Sequence, residues 1–456
     1  MKRRYVISRR SLIRSVSTGL LASSALAVRP VLGVEAGDET SHYVAPTGDD
    51  LAGDGSIGAP WATLQRAFSA VRPGATIFLR GGTYNLTGPS GIHLMGRSGT
   101  SEKLITIRNY ATEAVVLNGS GLTSAKDSYS SPTDAGGYVL SLYNVSNITI
   151  KGLDIRNGPM GGVIVNGGHS LDEGSHGNIF ENLRIHGNGW NGSEGKGFSL
   201  YGYATDNLLV NCDSYFNADL EQTNADGYQI SPWGPASTGN ALRGCRAWQN
   251  SDDGFDLFNV NDNTSPAPVM LSSCWAWRNG FLADGSQGKG EGNGFKLGGQ
   301  RQAARGNASG TSGGHTVTDC YAWSNVLNGF TDNSATIANT VVNCTAYDNC
   351  RSRDEYGRPS QTWTYDFYFP TPAGHVLIDN VAFQPAGREA RVAAENTDRN
   401  NSWTRSPPLS SASFVSLADA AATGRRMEDG SLPETAFLRL AAGSSLGKAR
   451  PNAAPL

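Results

Sequence analysis

The chain has 456 residues, of which 38% are hydrophobic and 17% are charged, so it is long enough for one large domain and too apolar to be disordered. Its 57 Gly residues, together with many Asn, Ser and Thr, favour turns between short strands and exclude a helical bundle or a coiled coil. The formal net charge of −3 argues against a basic surface for a phosphate backbone, so nucleic acid is not an expected partner.

The first residues predict an export signal. Adjacent arginines at Arg9 and Arg10 precede an Ala- and Leu-rich apolar run that continues to Val28. This pattern resembles a twin-arginine signal over residues 1–36, and the run is too short for a membrane span. Removal of those residues removes seven basic residues and one acid, which changes the charge balance to 30 − 39 = −9. We expect residues 37–456 to form a secreted, acidic, monomeric single domain with no membrane partner.

The segments that follow predict a covered end and a first pair of strands. Trp61, Leu64, Phe68 and Val71 have helical spacing, which predicts a short N-terminal capping helix within residues 60–72. Residues 75–79 and 81–84 are typical of strands in a first coil. At the other end, residues 400–456 are rich in Ser, Pro and Ala and predict a covering tail, with a final strand near Phe437–Leu440.

An internal repeat occupies the middle of the chain. Five segments place Ser or Ala two residues after a Cys, an aromatic residue three after it and an Asn five after it. Because strand side chains alternate, Cys and Ala face one side and the aromatic ring faces the other. This predicts a buried column of free thiols, an amide ladder at one corner, and a stack of rings packed beneath a loop rather than against sugar. The five segments are Asn211–Asn217, Gly244–Asn250, Ser273–Asn279, Asp319–Asn325 and Asn343–Asn349.

A second repeated signature is a Gly followed by a bulky apolar residue. It occurs at intervals of 35, 30, 27, 40 and 35 residues, which suits coils with constant strands and loops of variable length. The pattern predicts an all-β chain folded as a right-handed parallel β-helix. The Gly residues are Gly162, Gly197, Gly227, Gly254, Gly294 and Gly329.

When the coils are aligned on this dipeptide, several charged residues fall in shared columns, where they would be neighbours on consecutive coils. Asp226 and Asp253 fall in one column with Asp252 beside them, and Asp256 and Lys296 fall in another. Carboxylates this crowded cannot all stay ionised without a cation, and an oxygen-only ligand set suits calcium. Asp-Gly and Asn-Gly are also ordinary turn sequences, so a solvated acidic corner is an alternative. The restriction of the charges to three consecutive coils favours a site.

A lysine beside such a cation has a chemical use. The field of a divalent ion lowers the pKa of a neighbouring amine and favours its neutral form. A neutral Lys296 could then remove the C5 proton of a uronate whose carboxylate is bound by calcium, and elimination of the C4 oxygen would cleave the polymer. The predicted partner is an acidic polysaccharide.

Three motifs together resemble the pectate lyases of polysaccharide lyase family nine, and the resemblance extends over nearly the whole of residues 37–456. It implies a right-handed β-helix that cleaves polygalacturonate by β-elimination and releases 4,5-unsaturated oligogalacturonides. It also implies that Lys296 is the Brønsted base and that one calcium ion is held by Asp226, Asp252, Asp253 and Asp256. The motifs are Asn224–Tyr228, Asn250–Asp256 and Asn293–Gly299.

The sequence leaves two alternatives open. A polygalacturonase-like β-helical hydrolase would use two of the Asp residues as acid and base but would leave Lys296 without a role. A non-catalytic polysaccharide-binding solenoid would keep calcium for stability alone. The loop over residues 300–314 is a further candidate, because Arg301 and Arg305 could bind flanking carboxylates, with an ordinary solvated loop as the other interpretation.

Overall fold

The structure is a computed structural model that describes residues 41–124, 136–260, 266–301, 311–352, 364–385, 388–442 and 444. The predicted export signal, residues 1–36, lies outside these ranges. No helix within them is both long enough and apolar enough to cross a lipid bilayer.

Short strands wind around one axis and pair in parallel with the equivalent strand of the next coil, which produces three long sheets. Sheet 1 contains β1 (Ser41–Val44), β2 (Thr76–Leu79), β5 (Ile105–Asn109), β8 (Ile148–Lys151), β11 (Ile179–Glu181), β14 (Leu208–Val210), β17 (Ala241–Arg243), β20 (Met270–Ser272), β23 (Thr316–Thr318), β26 (Thr340–Val342), β29 (Val376–Ile378) and β32 (Thr397–Arg399). Sheet 2 contains β3 (Gly82–Gly88), β6 (Val115–Leu122), β9 (Asp154–Arg156), β12 (Arg184–His186), β15 (Asp213–Tyr215), β18 (Arg246–Trp248), β21 (Trp275–Trp277), β24 (Tyr321–Trp323), β27 (Thr345–Tyr347) and β30 (Val381–Phe383). Sheet 3 contains β4 (Ile92–Met95), β7 (Tyr138–Tyr143), β10 (Gly161–Gly167), β13 (Phe198–Gly202), β16 (Tyr228–Pro232), β19 (Phe255–Asp256), β22 (Phe295–Lys296), β25 (Phe330–Thr331), β28 (Phe367–Phe369) and β31 (Ala390–Val392). The predicted right-handed parallel β-helix is confirmed.

The core consists of columns of like side chains that run along the axis. Beneath sheet 3, Phe295 stacks between Phe255 and Phe330 with ring centroids 4.7 Å apart on each side, and all three rings are fully buried. Such face-to-face columns fix the register of successive coils, because a slip of one residue would turn every ring outward.

The predicted cysteine and asparagine columns are both present. Each of the five repeat cysteines is buried and free. At the corner, every Asn donates its side-chain amide to the Oδ1 atom of the next Asn at 2.8 to 3.0 Å. The ladder runs through Asn217, Asn250, Asn279, Asn325 and Asn349. It also extends one step to each side, to Asn188 and to Asp366.

A short helix packs against the core at the N-terminal end of the solenoid. The helix α1 (Leu64–Ala70) is shorter than the predicted range and starts at a Thr63 hydroxyl that accepts a hydrogen bond from the Arg66 N–H. Short 3₁₀ helices span Leu171–Glu173, Ser402–Thr404 and Ser411–Ser413.

The C-terminal tail lies over the aromatic stack of sheet 2. Trp323 stacks on Trp277, with ring centroids 5.0 Å apart, and meets Phe437 edge-on at 5.1 Å. The prediction that the rings pack beneath another segment is therefore confirmed. The predicted final strand is wrong: Phe437 and Leu440 make only isolated bridges to Ser416 and Phe414, and the few backbone hydrogen bonds of this segment do not continue into a ladder.

Candidate active site

The candidate site lies on the outward face of sheet 3. Backbone pairing places Gln229, Asp256, Lys296 and Thr331 side by side on four consecutive coils, which confirms the predicted column. Since each preceding aromatic residue points into the core, these polar side chains must point outward. At Gly254 a Cβ atom would lie 2.7 Å from the Asn279 amide nitrogen, so only Gly lets the chain pass this close to the asparagine ladder before β19 begins.

The residues that precede the repeated Gly form a second hydrogen-bonded column. The Oδ1 atom of Asp226 accepts the Asp253 N–H at 3.1 Å, and the Oδ1 atom of Asp253 accepts the N–H and the side-chain amide of Asn293 at 2.6 and 2.9 Å. Asn328 bonds to Asn293 in the same way. In both Asp residues the Oδ1 atom therefore continues the hydrogen-bonded column, and the Oδ2 atom takes no part in it.

Three of the four predicted ligands converge. Asp226, Asp253 and Asp256 are buried and offer carboxylate oxygens that lie within 4.8 Å of one another. Asp252 is also buried beside them, but it is outside this set of three, and its Oδ1 atom accepts the Glu291 N–H at 2.6 Å.

Lys296 lies at the open side of this carboxylate cluster. Its Nζ atom is 3.0 Å from Asp253 Oδ2, 4.0 Å from Asp256 Oδ2 and 3.3 Å from Glu291 Oε2. The side chain of Lys296 is 11% exposed, whereas that of Asp253 is 0% exposed, so Lys296 is the partner in this pair that remains partly accessible.

Two charged residues of the site were missed by the sequence reasoning. Lys196 occupies the position before Gly197, one coil ahead of Asp226, and its Nζ atom lies 2.8 Å from Asp226 Oδ2. Lys196 lies directly before Gly197, in the same column as Asp226 and Asp253, so the repeat itself marks its position. Glu291 comes from the loop before β22 and carries no repeat signal, so its approach to Lys296 could not be read from spacing.

The pKa values of the cluster reflect burial and mutual repulsion. Burial, helped by the charge of Asp253, raises the pKa of Asp226 to about 6 against the opposing charge of Lys196. Burial with the charges of Asp226 and Asp253 raises the pKa of Asp256 to about 8. Burial favours a neutral Lys296, but the carboxylates led by Asp253 outweigh it and raise the pKa of the amine well above its ordinary value.

These residues fit a hard divalent cation. The Oδ2 atoms of Asp226 and Asp253 are buried and make no hydrogen bond, although each faces an ammonium group. The described cluster consists of carboxylate oxygens and contains neither His nor Cys, which suits calcium rather than a soft metal. A cation there would relieve the repulsion that raises the carboxyl pKa values.

A pocket of about 180 Å³ opens beside the lysine, toward the following coil. Glu291, Thr331 and Tyr368 are among its lining residues, and Thr331 is the strand partner of Lys296. The predicted role of the 300–314 loop stays a prediction, since Arg305 lies outside the described residues and Arg301 shows a main-chain bond to Asn259.

Fold and site together define a right-handed parallel β-helix protein with a lysine set in an acidic cluster. A family model described as the Pel9A-like, right-handed beta helix region matches residues 42–362. The chain therefore belongs to the Pel9A-like right-handed β-helix family of pectate lyases.

Individual relatives match along most of their length. Pectate lyase L of Dickeya dadantii (strain 3937) is 33% identical over 94% of this chain and 92% of its own. Pectate lyase PEL9 of Emericella nidulans is 31% identical over 89% of this chain and 93% of its own. The crystal structure of pectate lyase Pel9A superimposes with a TM-score of 0.66 at 30% identity, covering 89% of this chain and 90% of that one.

Proposed function

We propose that the protein is a secreted pectate lyase that cleaves polygalacturonate by calcium-assisted β-elimination, with Lys296 as the Brønsted base. The observation that carries the proposal is the position of the Lys296 amine, 3.0 Å from Asp253 at the open side of three converging buried carboxylates. The family relationship to pectate lyases supports the substrate class.

Asp226, Asp252, Asp253 and Asp256 would hold the cation. Calcium, when bound, would act as a Lewis acid that neutralises a uronate carboxylate and the negative charge that develops on it. The acidic cluster would otherwise repel a polyuronate, so the cation also explains how an acidic protein accepts an acidic polymer.

Lys296 would take the proton from C5 of the uronate. The electron pair left on C5 forms the C4–C5 double bond, the C4–O bond breaks, and the departing oxygen takes a proton from solvent. The base must be neutral, and burial favours that form once Asp253 and Asp256 are engaged as ligands and no longer stabilise the ammonium. In this proposal the pocket lined by Thr331 and Tyr368 would receive the neighbouring sugar unit.

The direct test is an incubation with polygalacturonate in calcium and in chelator. The expected result is a rise in ultraviolet absorbance from unsaturated chain ends in calcium and none in chelator. New reducing ends without that absorbance would instead identify a hydrolase, and the absence of both would favour a binding solenoid.

A further inference from the structure

Lys196 is a buried cation that the proposed chemistry does not use. The residue is 0% exposed, and the column position that it occupies holds Asp226 and Asp253 on the next two coils. Burial of a lysine destabilises a fold unless its charge is paired, so the partners of Lys196 indicate its role.

The contacts of Lys196 exclude a role as a second base. An ammonium group has three N–H donors. Two of them are donated to the Asn224 carbonyl oxygen at 2.6 Å and the Asn224 side-chain oxygen at 2.9 Å, and the ammonium forms an ion pair with Asp226 Oδ2 at 2.8 Å. Its side chain is 1% exposed against 11% for Lys296, so no proton of a bound polymer can reach it.

The same contacts make Lys196 a fixed counter-charge. Asp226 Oδ2 is buried and makes no hydrogen bond, and the ammonium of Lys196, 2.8 Å away, supplies its counter-charge. Lys296 faces Asp253 in the corresponding way from the open side. The two lysines therefore flank the carboxylates, one sealed in the protein and one accessible.

We propose that Lys196 is a built-in counter-cation of the acidic cluster, which keeps Asp226 in position before calcium binds and makes calcium bind more weakly than the carboxylates alone would allow. This inference rests on the proposed function, because it takes the cluster to be the calcium site. A cation held in the protein repels a second cation, and the ligands are already oriented when calcium arrives. Lys196 is thus a positioning residue that makes the metal site pre-formed and reversible.

The test is Lys196→Met, which removes the charge and keeps the length of the side chain. In chelator its melting temperature should fall below that of the wild type, because Asp226 loses its partner. Its calcium dissociation constant, measured by calorimetry, should decrease about tenfold, within the range of ordinary coupling between two sites. The rise in melting temperature on adding calcium should therefore exceed that of the wild type. Lys289→Met, which removes an exposed lysine from a neighbouring loop, is the matched control. It should change neither the melting temperature in chelator nor the calcium dissociation constant.

The double variant Lys196→Met/Asp226→Asn separates charge from shape. With both charges removed, the melting temperature in chelator should return toward the wild-type value while calcium binding becomes weaker than in the wild type. A double variant that stays as unstable as Lys196→Met would show that the side chain serves packing only and would overturn the inference. Unchanged or weaker calcium binding by Lys196→Met, with normal binding by the wild type, would overturn it without touching the proposed function. A wild-type protein that binds no calcium would refute both.

Discussion

Replacement of Lys296 by Met tests the proposed base most sharply. The variant keeps an unbranched side chain of similar length beside Phe258, whose ring centroid lies 5.7 Å from the Lys296 amine, so packing changes little. Loss of a positioned general base costs about 10²- to 10⁴-fold in rate, which corresponds to about 3–5 kcal/mol of transition-state stabilisation. We therefore expect kcat on polygalacturonate in saturating calcium to fall by about a thousandfold.

The same substitution has a separate effect on stability that depends on calcium. Without the metal, removal of the ammonium leaves Asp253 Oδ2 buried without its partner at 3.0 Å, which should destabilise the fold by about 3 kcal/mol. With calcium bound to Asp253, that loss should largely disappear.

The assay combines ultraviolet detection of product with thermal unfolding in calcium and in chelator, and Lys289→Met serves as the exposed-lysine control. The wild-type kcat should increase with pH as the base loses its proton, and the residual rate of the variant should lack that dependence. A Lys296→Met protein that keeps more than about a tenth of the wild-type kcat would refute the assignment of the base.

Further predictions concern stability and the thiols. In chelator, the raised pKa values of about 6 for Asp226 and about 8 for Asp256 mean that the folded state binds more protons than the unfolded state, so the melting temperature should fall as pH increases from 4 to 9. Calcium should reduce this fall, and a metal-free protein that becomes more stable over that range would contradict the ionisation scheme. Asn279→Ala removes ladder bonds of 2.9 and 3.0 Å and should lower the free energy of unfolding by about 2–4 kcal/mol in denaturant titrations, whereas the exposed control Asn191→Ala should change it by less than about 0.5 kcal/mol. The five column cysteines should resist a thiol reagent in the native state and react on unfolding, and rapid native labelling would show that the column is not sealed.

The sequence was sufficient to predict the fold because the constant parts of each coil repeat in identical chemical terms. The Gly-aromatic dipeptide marks where Phe255 and Phe295 enter the core, and their stacking sets the register of the whole coil. Once that register is known, the contact between Asp256 and Lys296 follows from counting two residues along each strand.

The variable loops explain what could not be predicted. Glu291 reaches Lys296 from a loop whose length differs from that of its neighbours, so its position depends on contacts that have no period. The turn that carries Asp252 directs its Oδ1 atom to the Glu291 N–H, another contact that no column contains. The C-terminal tail was expected to end in a strand, but Phe437 is held by the ring of Trp323, and side-chain packing of this kind leaves no alternating pattern.

The acidic site is a small chemical change to a structural ladder. The Oδ1 atom of Asn293 accepts hydrogen bonds from the backbone N–H and the side-chain amide of Asn328. The Oδ1 atom of Asp253 accepts the same two hydrogen bonds from Asn293. Asn and Asp have nearly the same shape, so the Oδ1 acceptor and the backbone N–H bond remain whichever of them occupies the position, although Asp lacks the side-chain donor. The change replaces one amide nitrogen by one carboxylate oxygen, and that oxygen is the Oδ2 atom that faces Lys296. The β-helix can therefore concentrate charge on consecutive coils without altering its backbone, provided that cations compensate the charge: Lys196 and Lys296 in the free protein and, on our proposal, calcium in the working enzyme.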